Sequence, residues 1–396
     1  PFFIEEITKS LLEIGALRRT AEGYALGRPV SEIVIPNTIQ DVIMARIDRL
    51  GDEPKRAMQI ASVIGREFAV RLLQRSSESG DSVNALVGEL RALELIYEKT
   101  GVPELAYMFK HALTHDVAYE SLLVQRRKQL HRIIGLAIED LYTDRLAEYW
   151  ETLAHHFHRA EDWPRAFEYL VKAADKARGA FANGEAVYFY DRALEAATHL
   201  DITPQQRAGI CESKGRGHCC RSEFSEAIGA YRRAFTAVTT DADRARLNAA
   251  LSEALVWAHE NNAATAAATE ALVAARSTGQ LDVAARAQFV VGFVQMVQGQ
   301  LEETTRCYAD AVTLARAAGQ PVLGGQIEQF DGMTFNWRGE YRTAIQRVEP
   351  VLTMFREENQ LLHFVQTCSA FTITLGGAGE YARALALITE GIALSE

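Results

Sequence analysis

The sequence predicts a mostly α-helical protein whose first half carries a small β-hairpin and whose second half is a superhelix of paired helices. Two observations lead to this prediction. A small residue followed by bulky apolar residues recurs about every 40 residues through the second half. In the first half, short segments with helical periodicity precede two apolar runs that flank Gly101 and Pro103.

The first half contains four predicted helices and then two strands. Apolar residues recur with helical spacing over residues 38–50, 52–64, 68–75 and 83–93. Asp52 is predicted to cap the second of these helices, and Gly65 is predicted to end it. The runs 95–99 and 105–109 then form the predicted hairpin. Helices followed by a hairpin are the layout of a winged-helix domain.

The second half repeats one register in RSEFSEAIGAYRRAF, QGQLEETTRCYADAV, RGEYRTAIQRVEPVL and AGEYARALALITEGI. The small residue of that register stands at Ala227, Ala264, Thr304, Ala344 and Ala384, first 37 and then 40, 40 and 40 residues apart. Bulky residues follow at helical spacing, and second helical segments lie between, at 283–297, 322–337 and 361–375. This spacing predicts five or six stacked helix pairs from about Trp163 onward.

Two local signals complete the second half. The run Thr203, Pro204, Gln205 and Gln206 has the residues of a helix N-cap with a capping box. Pro350 falls inside a predicted helix, where it removes a hydrogen bond to Gln346 and predicts a local bend.

The order Gly-x-Tyr, Ala, Tyr in these helices resembles the second helix of the tetratricopeptide repeat (TPR). That family has a period of about 34 residues, so the longer period seen here is more similar to the repeats of bacterial signalling ATPases. The resemblance implies a TPR-like α-α superhelix with repeats of about 40 residues, whose concave face takes a protein or small-ligand partner.

Composition and charge exclude several classes of protein. The 396 residues suggest two or three domains, and no apolar run approaches the roughly 18 residues that cross a bilayer. Five cysteines without a CxxC pair argue against a disulfide framework and favour a reducing cytoplasm. A net charge of -10 opposes nucleic-acid binding. Because the sequence begins at Pro1 without a signal peptide, we expect it to be part of a longer polypeptide.

Four segments carry a more specific resemblance: PFFIEEITKSLL, IPNTIQDVIMARIDRL, ASVIGREF and YMFKHALTHDVAYESLLVQRRKQLHRII. They resemble the part of bacterial STAND ATPases that follows the nucleotide-binding core. They are most similar to the STAND ATPases fused to class III adenylate or guanylate cyclases, and the same elements are found in LuxR-type regulators. At the level of motifs the resemblance extends over about residues 1–177.

The resemblance implies four segments: residues 1–34 as the end of the ATPase module with its helical lid, 35–142 as the winged-helix domain, 143–162 as a connecting helix, and 163–396 as the repeats. Pro1 would end the ATPase core and touch the adenine. The phosphate loop and magnesium site of such ATPases lie upstream of these segments. ATP or ADP and Mg are therefore expected for that missing module, and no cofactor for this chain.

His111 is the second residue to which the resemblance gives a role, because a histidine in a similar F-x-H context reaches the nucleotide phosphates in related switches. The alternative is a structural histidine where the hairpin ends. His111 and His115 also have the i, i+4 spacing of a helical metal pair, but neither an HExxH pattern nor a third ligand accompanies them.

Other candidate residues have simpler interpretations. His155, His156 and His158 suggest a zinc site, but neighbouring helical residues point in different directions, which favours packing. The basic run Arg126, Arg127, Lys128 and Arg132 favours a solvated helix face over a nucleic-acid or ATPase contact. The adjacent Cys219 and Cys220 favour helix packing over a redox sensor. We assign no catalytic residue and no metal ligand.

We therefore expect a cytoplasmic, non-catalytic regulatory and protein-interaction segment of a STAND-class signalling ATPase. In this interpretation a TPR sensor is coupled to the upstream ATPase and to an adenylate cyclase effector, without nucleic-acid or membrane contact. Two alternatives stay open at this point. The chain is the sensor segment of a LuxR-type transcription regulator, or it is a plain TPR scaffold.

Overall fold

The computed structural model describes residues 2–20, 23–29, 38–78, 80–101 and 104–395, and twenty α-helices and five β-strands lie in these ranges. Tertiary contacts divide the chain into two units. The first comprises Pro1–Ala173 with Glu195–Leu200, and the second comprises Ala174–Leu194 with Asp201–Glu396. The four segments divided after residues 34, 142 and 162 stay a prediction. None of the described helices is long and apolar enough to cross a membrane.

The first unit begins with α1 and an antiparallel hairpin of two strands. Its helices are α1 (Phe2–Glu13), α2 (Ile39–Asp48), α3 (Asp52–Ile64), α4 (Val70–Ser76), α5 (Val83–Ala92), α6 (Ala112–Glu120), α7 (Val124–Leu141) and α8 (Trp150–Arg159). Its strands are β1 (Leu17–Thr20), β2 (Gly23–Leu26), β3 (Glu67–Ala69), β4 (Ile96–Lys99) and β5 (Ala106–Phe109). A 3-10 segment, Thr143–Tyr149, precedes α8 within the predicted connecting helix.

The order α3, β3, α4, α5, β4 and β5 is a winged helix, as predicted. Its sheet is antiparallel in the order β3-β5-β4. The predicted helix over 68–75 was wrong at its start, because Phe68 pairs with Tyr107 in the sheet and the helix begins only at Val70. A short apolar run fits a strand and a buried helix equally well. Residues 30–37 and Pro103, which belong to the predicted elements, lie outside the described residues.

Six helix pairs follow, which confirms the predicted repeat. They are α9 (Trp163–Gly179) with α10 (Asn183–Ala196), α11 (Pro204–Cys220) with α12 (Phe224–Phe235), α13 (Asp241–Trp257) with α14 (Asn261–Thr278), α15 (Leu281–Val297) with α16 (Leu301–Ala317), α17 (Pro321–Trp337) with α18 (Tyr341–Glu357), and α19 (Leu361–Gly377) with α20 (Tyr381–Ser395). The capping box at Thr203 and Gln206 is present. The helix α18 runs through Pro350, and the bend stays a prediction.

The 40-residue period follows from equal helices and equal turns. Each helix from α15 to α19 has 17 residues, and three residues separate it from the next. The middle residue of these turns has a positive φ, and it is Gly299, Gly319, Gly339, Asn359 or Gly379. The following amide then bonds a carbonyl five residues back, as Gln300 does with Gln295 at 2.9 Å. Glycine suits this position because it adopts the left-handed conformation without steric cost.

The predicted small column is buried between the helices. Ala227, Thr304 and Ala344 have no exposed surface, and the bulky residues four positions later, such as Tyr308, are buried as well. The tyrosine packs on a glycine of the first helix of its own pair: a Cβ added at Gly292 would lie 2.8 Å from the ring of Tyr308. Small residues on both helices therefore allow the close approach on which the stack depends.

Candidate functional site

The first helices of five successive pairs form one exposed wall, which we call the first-helix wall. It consists of α11, α13, α15, α17 and α19, which contribute nearly all residues lining two cavities of about 420 and 560 Å³. The cavities share Glu253, Arg286 and Leu323 and so form one groove. Volumes of this size are typical of ligand sites in proteins.

The centre of the groove is aromatic. The ring centroids of Trp257 and Phe293 are 5.4 Å apart. The ring centroid of Phe330 lies 5.1 Å from that of Phe289 and 5.7 Å from that of Phe293. Trp257 is 48% exposed, and the three phenylalanines are half-buried. The wall therefore leaves apolar ring surface in contact with water at the place where a ligand would cover it.

One end of the groove carries paired charges. The buried carboxylate of Glu212 accepts a hydrogen bond from Arg216 at 2.5 Å and also pairs with Arg246. One repeat further on, Arg286 lies 3.6 Å from Glu253. Burial raises the pKa of the Glu253 carboxyl, and the charge of Arg286 opposes that rise. The arginine heads remain partly exposed, so they can form bonds to a ligand in addition to those they make within the wall.

The other end of the groove carries amides. The side-chain amide nitrogen of Gln326 donates to the ring of His363 at 2.8 Å, and Thr367 donates to Gln329 at 2.9 Å, so that α17 and α19 are linked across the wall. Gln366 lines the smaller cavity beside them and is exposed. Amide side chains both donate and accept, which matches the unpaired main-chain groups of an extended peptide.

These wall residues are not among the candidates predicted from the sequence. The sequence did contain a signal for them, because Arg246, Arg286, Gln326 and Gln366 occupy one position of successive first helices, 40 residues apart. The prediction aligned the small column of the second helices, whose burial gives a clear pattern. Alignment of the first helices reveals a polar column on the exposed side.

His111 lies at the start of α6, where it is half-buried beside a network of ion pairs. Lys110, its neighbour in the chain, lies 2.7 Å from Glu94, and Lys9 of α1 lies 2.8 Å from the same carboxylate. The hydrogen bonds from Lys110 and Lys9 lower the pKa of Glu94 to about 2. Pro1 lies outside the described residues. A nucleotide-sensing role for Pro1 and His111 therefore stays a proposal.

The predicted packing role applies to the histidines of α8. His156 is buried, and its Nδ1 lies 2.9 Å from Nδ1 of His131 on α7. The hydroxyl of Tyr119 lies 3.1 Å from Nε2 of His131, which extends the hydrogen-bonded chain to α6. His158 packs edge-on against a tryptophan, and His155 is exposed. These rings join α6, α7 and α8.

The described residues hold no group of three or more His, Cys, Asp or Glu side chains with metal-binding geometry. His115, which stands at i, i+4 from His111, makes other contacts. The ring of His115 packs on Phe109 at 5.3 Å, and its Nδ1 lies 2.9 Å from a carboxylate oxygen of Asp116.

The basic run of α7 makes contacts within the first unit. Arg127 donates to the carbonyl of Leu122 at 2.8 Å, and Lys128 lies 2.7 Å from Glu161. Arg127 and Lys128 thus make contacts within the chain, while Arg126 and Arg132 are exposed, as predicted for a solvated face.

In the second unit, burial raises the pKa of the Cys219 thiol to about 11, so it is not a thiolate at neutral pH. The raised pKa of Cys219 agrees with its predicted packing role.

No protein-family model matches the sequence, and no curated protein matches it. Solved structures are similar in fold. Aspartyl phosphate phosphatase F from Bacillus subtilis superposes with a TM-score of 0.50 at 11% identity, over 92% of this chain and 96% of that one. The Rap protein complexed with Competence and Sporulation Factor gives 0.49 at 15% identity, over 69% and 72% of the two chains.

A STAND protein with a tetratricopeptide repeat sensor from Pyrococcus horikoshii is also similar, with a TM-score of 0.43 at 14% identity. The match covers 91% of this chain and 60% of that one. At such identities a likeness concerns the fold alone. The chain has a TPR-like helical-repeat fold.

Proposed function

We propose that this chain is a non-catalytic regulatory segment whose first-helix wall binds a peptide or an extended protein segment. The observation that carries the proposal is the groove itself. An exposed aromatic centre lies between arginine-carboxylate pairs at one end and amide side chains at the other. Apolar anchors with main-chain hydrogen bonds are how repeat surfaces hold extended peptides.

Selection from a phage-displayed library of random dodecapeptides, followed by calorimetric titration, tests this proposal. Ala250 lines the groove on α13, whereas Ala266 is exposed on α14 outside it. Ala250→Arg should reduce the affinity for selected peptides at least tenfold, because the longer side chain occupies the groove. The matched variant Ala266→Arg should bind like the unaltered chain. Equal binding by both variants, with unchanged melting curves, would place the peptide elsewhere.

The finer proposal is that the chain belongs to a STAND-class ATPase and relays partner binding through the winged helix to an upstream nucleotide module and a cyclase effector. It is supported by the four resembling segments and by the winged-helix order of the first unit. The purified chain should neither hydrolyse ATP nor form cyclic AMP, and the full-length protein should do both in response to partner. Activation of transcription instead would favour the LuxR-type alternative, and no response at all would favour a scaffold.

A role of His111 in nucleotide sensing is part of this proposal. The ion pairs of Lys9 with Glu94 and of Lys110 with Glu5 link α1, the predicted lid, to the residues on either side of the strands that lead to His111. His111→Ala should raise the basal output of the full-length ATPase, since a lost bond to a phosphate removes roughly 1.5 to 3 kcal/mol from the closed state. The stability of this chain should change by less than about 1 kcal/mol. Unfolding of the chain would instead support the structural alternative, and His259→Ala, exposed on a turn, serves as the control.

A further inference from the structure

We infer that the smaller of the two cavities is a specificity pocket for one aromatic or large aliphatic side chain of the bound peptide, and that Trp257 selects it. This inference rests on the proposed peptide-binding function. We call this cavity the aromatic cavity. It is lined on its apolar side by Trp257, Phe289, Leu323, Ile327 and Phe330.

The walls of the aromatic cavity are held by ring contacts within the repeat stack. Phe289 stacks on the buried Tyr308 with centroids 5.6 Å apart, and it also meets Phe330 at 5.1 Å. These separations lie within the range in which aromatic rings attract each other. Two of the walls are therefore held by the core of the repeat stack, and a side chain entering the cavity gains their surface without reorganising them.

Polar groups surround the apolar walls. The pair of Arg286 and Glu253 stands on one side, and Gln326, Gln329 and Gln366 stand on the other. A ligand that is apolar throughout would leave these groups without water and without new partners, at a free-energy cost. A peptide residue supplies both parts, because its side chain fills the apolar cavity while its main-chain amide and carbonyl reach the polar rim. A peptide is therefore favoured over a lipid tail.

Trp257 is the wall that can select the ligand. Its ring is 48% exposed, and it contacts Phe293 at 5.4 Å and Phe224 at 6.5 Å. Because nearly half of this ring is exposed, its removal should widen the aromatic cavity and leave the buried helix contacts in place. Trp337 occupies the same position two repeats later, with 56% of its surface exposed, and does not line the cavity. The chain thus provides its own matched control.

The test is a double-mutant cycle. It uses the tightest-binding peptide that is selected from the dodecapeptide library. Each residue of that peptide is replaced by alanine, and each peptide is titrated against the unaltered chain, Trp257→Ala and Trp337→Ala. We expect one aromatic or large aliphatic peptide residue whose replacement weakens binding to the unaltered chain at least tenfold. The same replacement should weaken binding to Trp257→Ala less than threefold, and binding to Trp337→Ala again at least tenfold.

Two results would overturn the inference. The first would leave the proposed function intact, and the second would overturn the proposed function as well. If the cycle shows no coupling to Trp257, while Ala250→Arg still reduces the affinity at least tenfold, the aromatic cavity is not the specificity pocket and the proposed function stands. If the library yields no peptide, or binding is insensitive to every groove variant, the proposed function fails together with the inference. Melting curves of the tryptophan variants show whether a lost affinity arises from unfolding.

Discussion

The buried pair of His131 and His156 makes the stability of the first unit sensitive to acid. Burial, with smaller contributions from His155 and nearby arginines, lowers the pKa of His131 to about 3, and burial together with His131 lowers the pKa of His156 well below its usual value. Both rings are therefore neutral in the folded chain. In the unfolded chain they take up protons as the pH falls below about 6.5. Acid thus favours the unfolded chain, and the stability is fully present only above that pH.

The magnitude follows from the unfolded chain alone, as long as the folded pKa values stay below about 5. At pH 5 an unperturbed histidine lies about 1.5 units below its pKa, which corresponds to about 2 kcal/mol at 1.36 kcal/mol per unit. The two buried histidines together should cost the first unit about 4 kcal/mol between pH 7.5 and pH 5. This is a large share of the stability of an ordinary domain.

Urea unfolding at pH 7.5, 6.5, 5.5 and 5.0 measures this loss. Trp257 and Trp337 belong to the second unit, so their replacement by phenylalanine leaves the fluorescence of Trp150 and Trp163 as a report on the first unit. The same series is measured for that chain with both His131→Leu and His156→Leu. The difference in the pH dependence of the free energy of unfolding between the two chains is the contribution of the histidine pair. A stability that is flat across this range, or an equal loss in the double variant, would refute the reasoning.

His155 provides the control for this experiment. It is adjacent to His156 in the sequence but exposed, so His155→Gln should keep nearly the whole pH dependence.

Four further predictions concern packing, charge and strain. Ala344→Glu should lower the free energy of unfolding by about 3 kcal/mol or more, because it buries a carboxylate in the small column; an unchanged melting curve would place that column on another face. Burial raises the pKa of Asp331 from its usual 3.8 to about 6, so this carboxyl should lower the stability of the second unit as the pH rises from 4 to 6. Asp331→Asn should remove this contribution and raise the free energy of unfolding at pH 7.5 by about 3 kcal/mol, as measured by urea unfolding. Phe181 has a φ of 60° and is 78% exposed, so Phe181→Gly should raise the melting temperature by the equivalent of about 1 kcal/mol, and a lower melting temperature would contradict this account. Duplex DNA should not bind at micromolar concentration in fluorescence anisotropy, because α5 offers Arg91 as its one basic residue; salt-sensitive binding that Arg91→Ala abolishes would contradict this.

The repeat could be predicted from sequence because close helix contact restricts residue size at fixed intervals. Ala227, Thr304 and Ala344 are small for that reason, and the structure buries all three. The hairpin of β1 and β2 could not be predicted in the same way. Its residues are nearly all exposed, so neither strand has a buried face that would impose alternation of apolar and polar residues.

The groove was missed for a different physical reason. Gln326 and Arg286 are partly or fully exposed polar residues on amphipathic helices, and such residues look alike in sequence whether they face a groove or bulk water. Which exposed face is enclosed depends on how successive pairs are stacked. That arrangement arises from many small packing contacts and is not encoded in one local motif. His111 could be placed where the hairpin ends, and a nucleotide-sensing role for it stays a proposal.

Equal helices and equal turns from α15 to α19 make this part of the repeat array a set of interchangeable units. Removal of residues 281–320, one complete pair, would join Gln280 to Pro321, which is the same junction that Gln320 forms with Pro321 in the intact chain. The array can thus become shorter or longer by whole pairs, and a segment bound in the proposed groove would change in length with it. Removal of a single helix with its turn, 20 residues, would instead move every later first helix out of the first-helix wall and onto the side of the second helices. Insertions and deletions in such an array are therefore tolerated in steps of 40 residues.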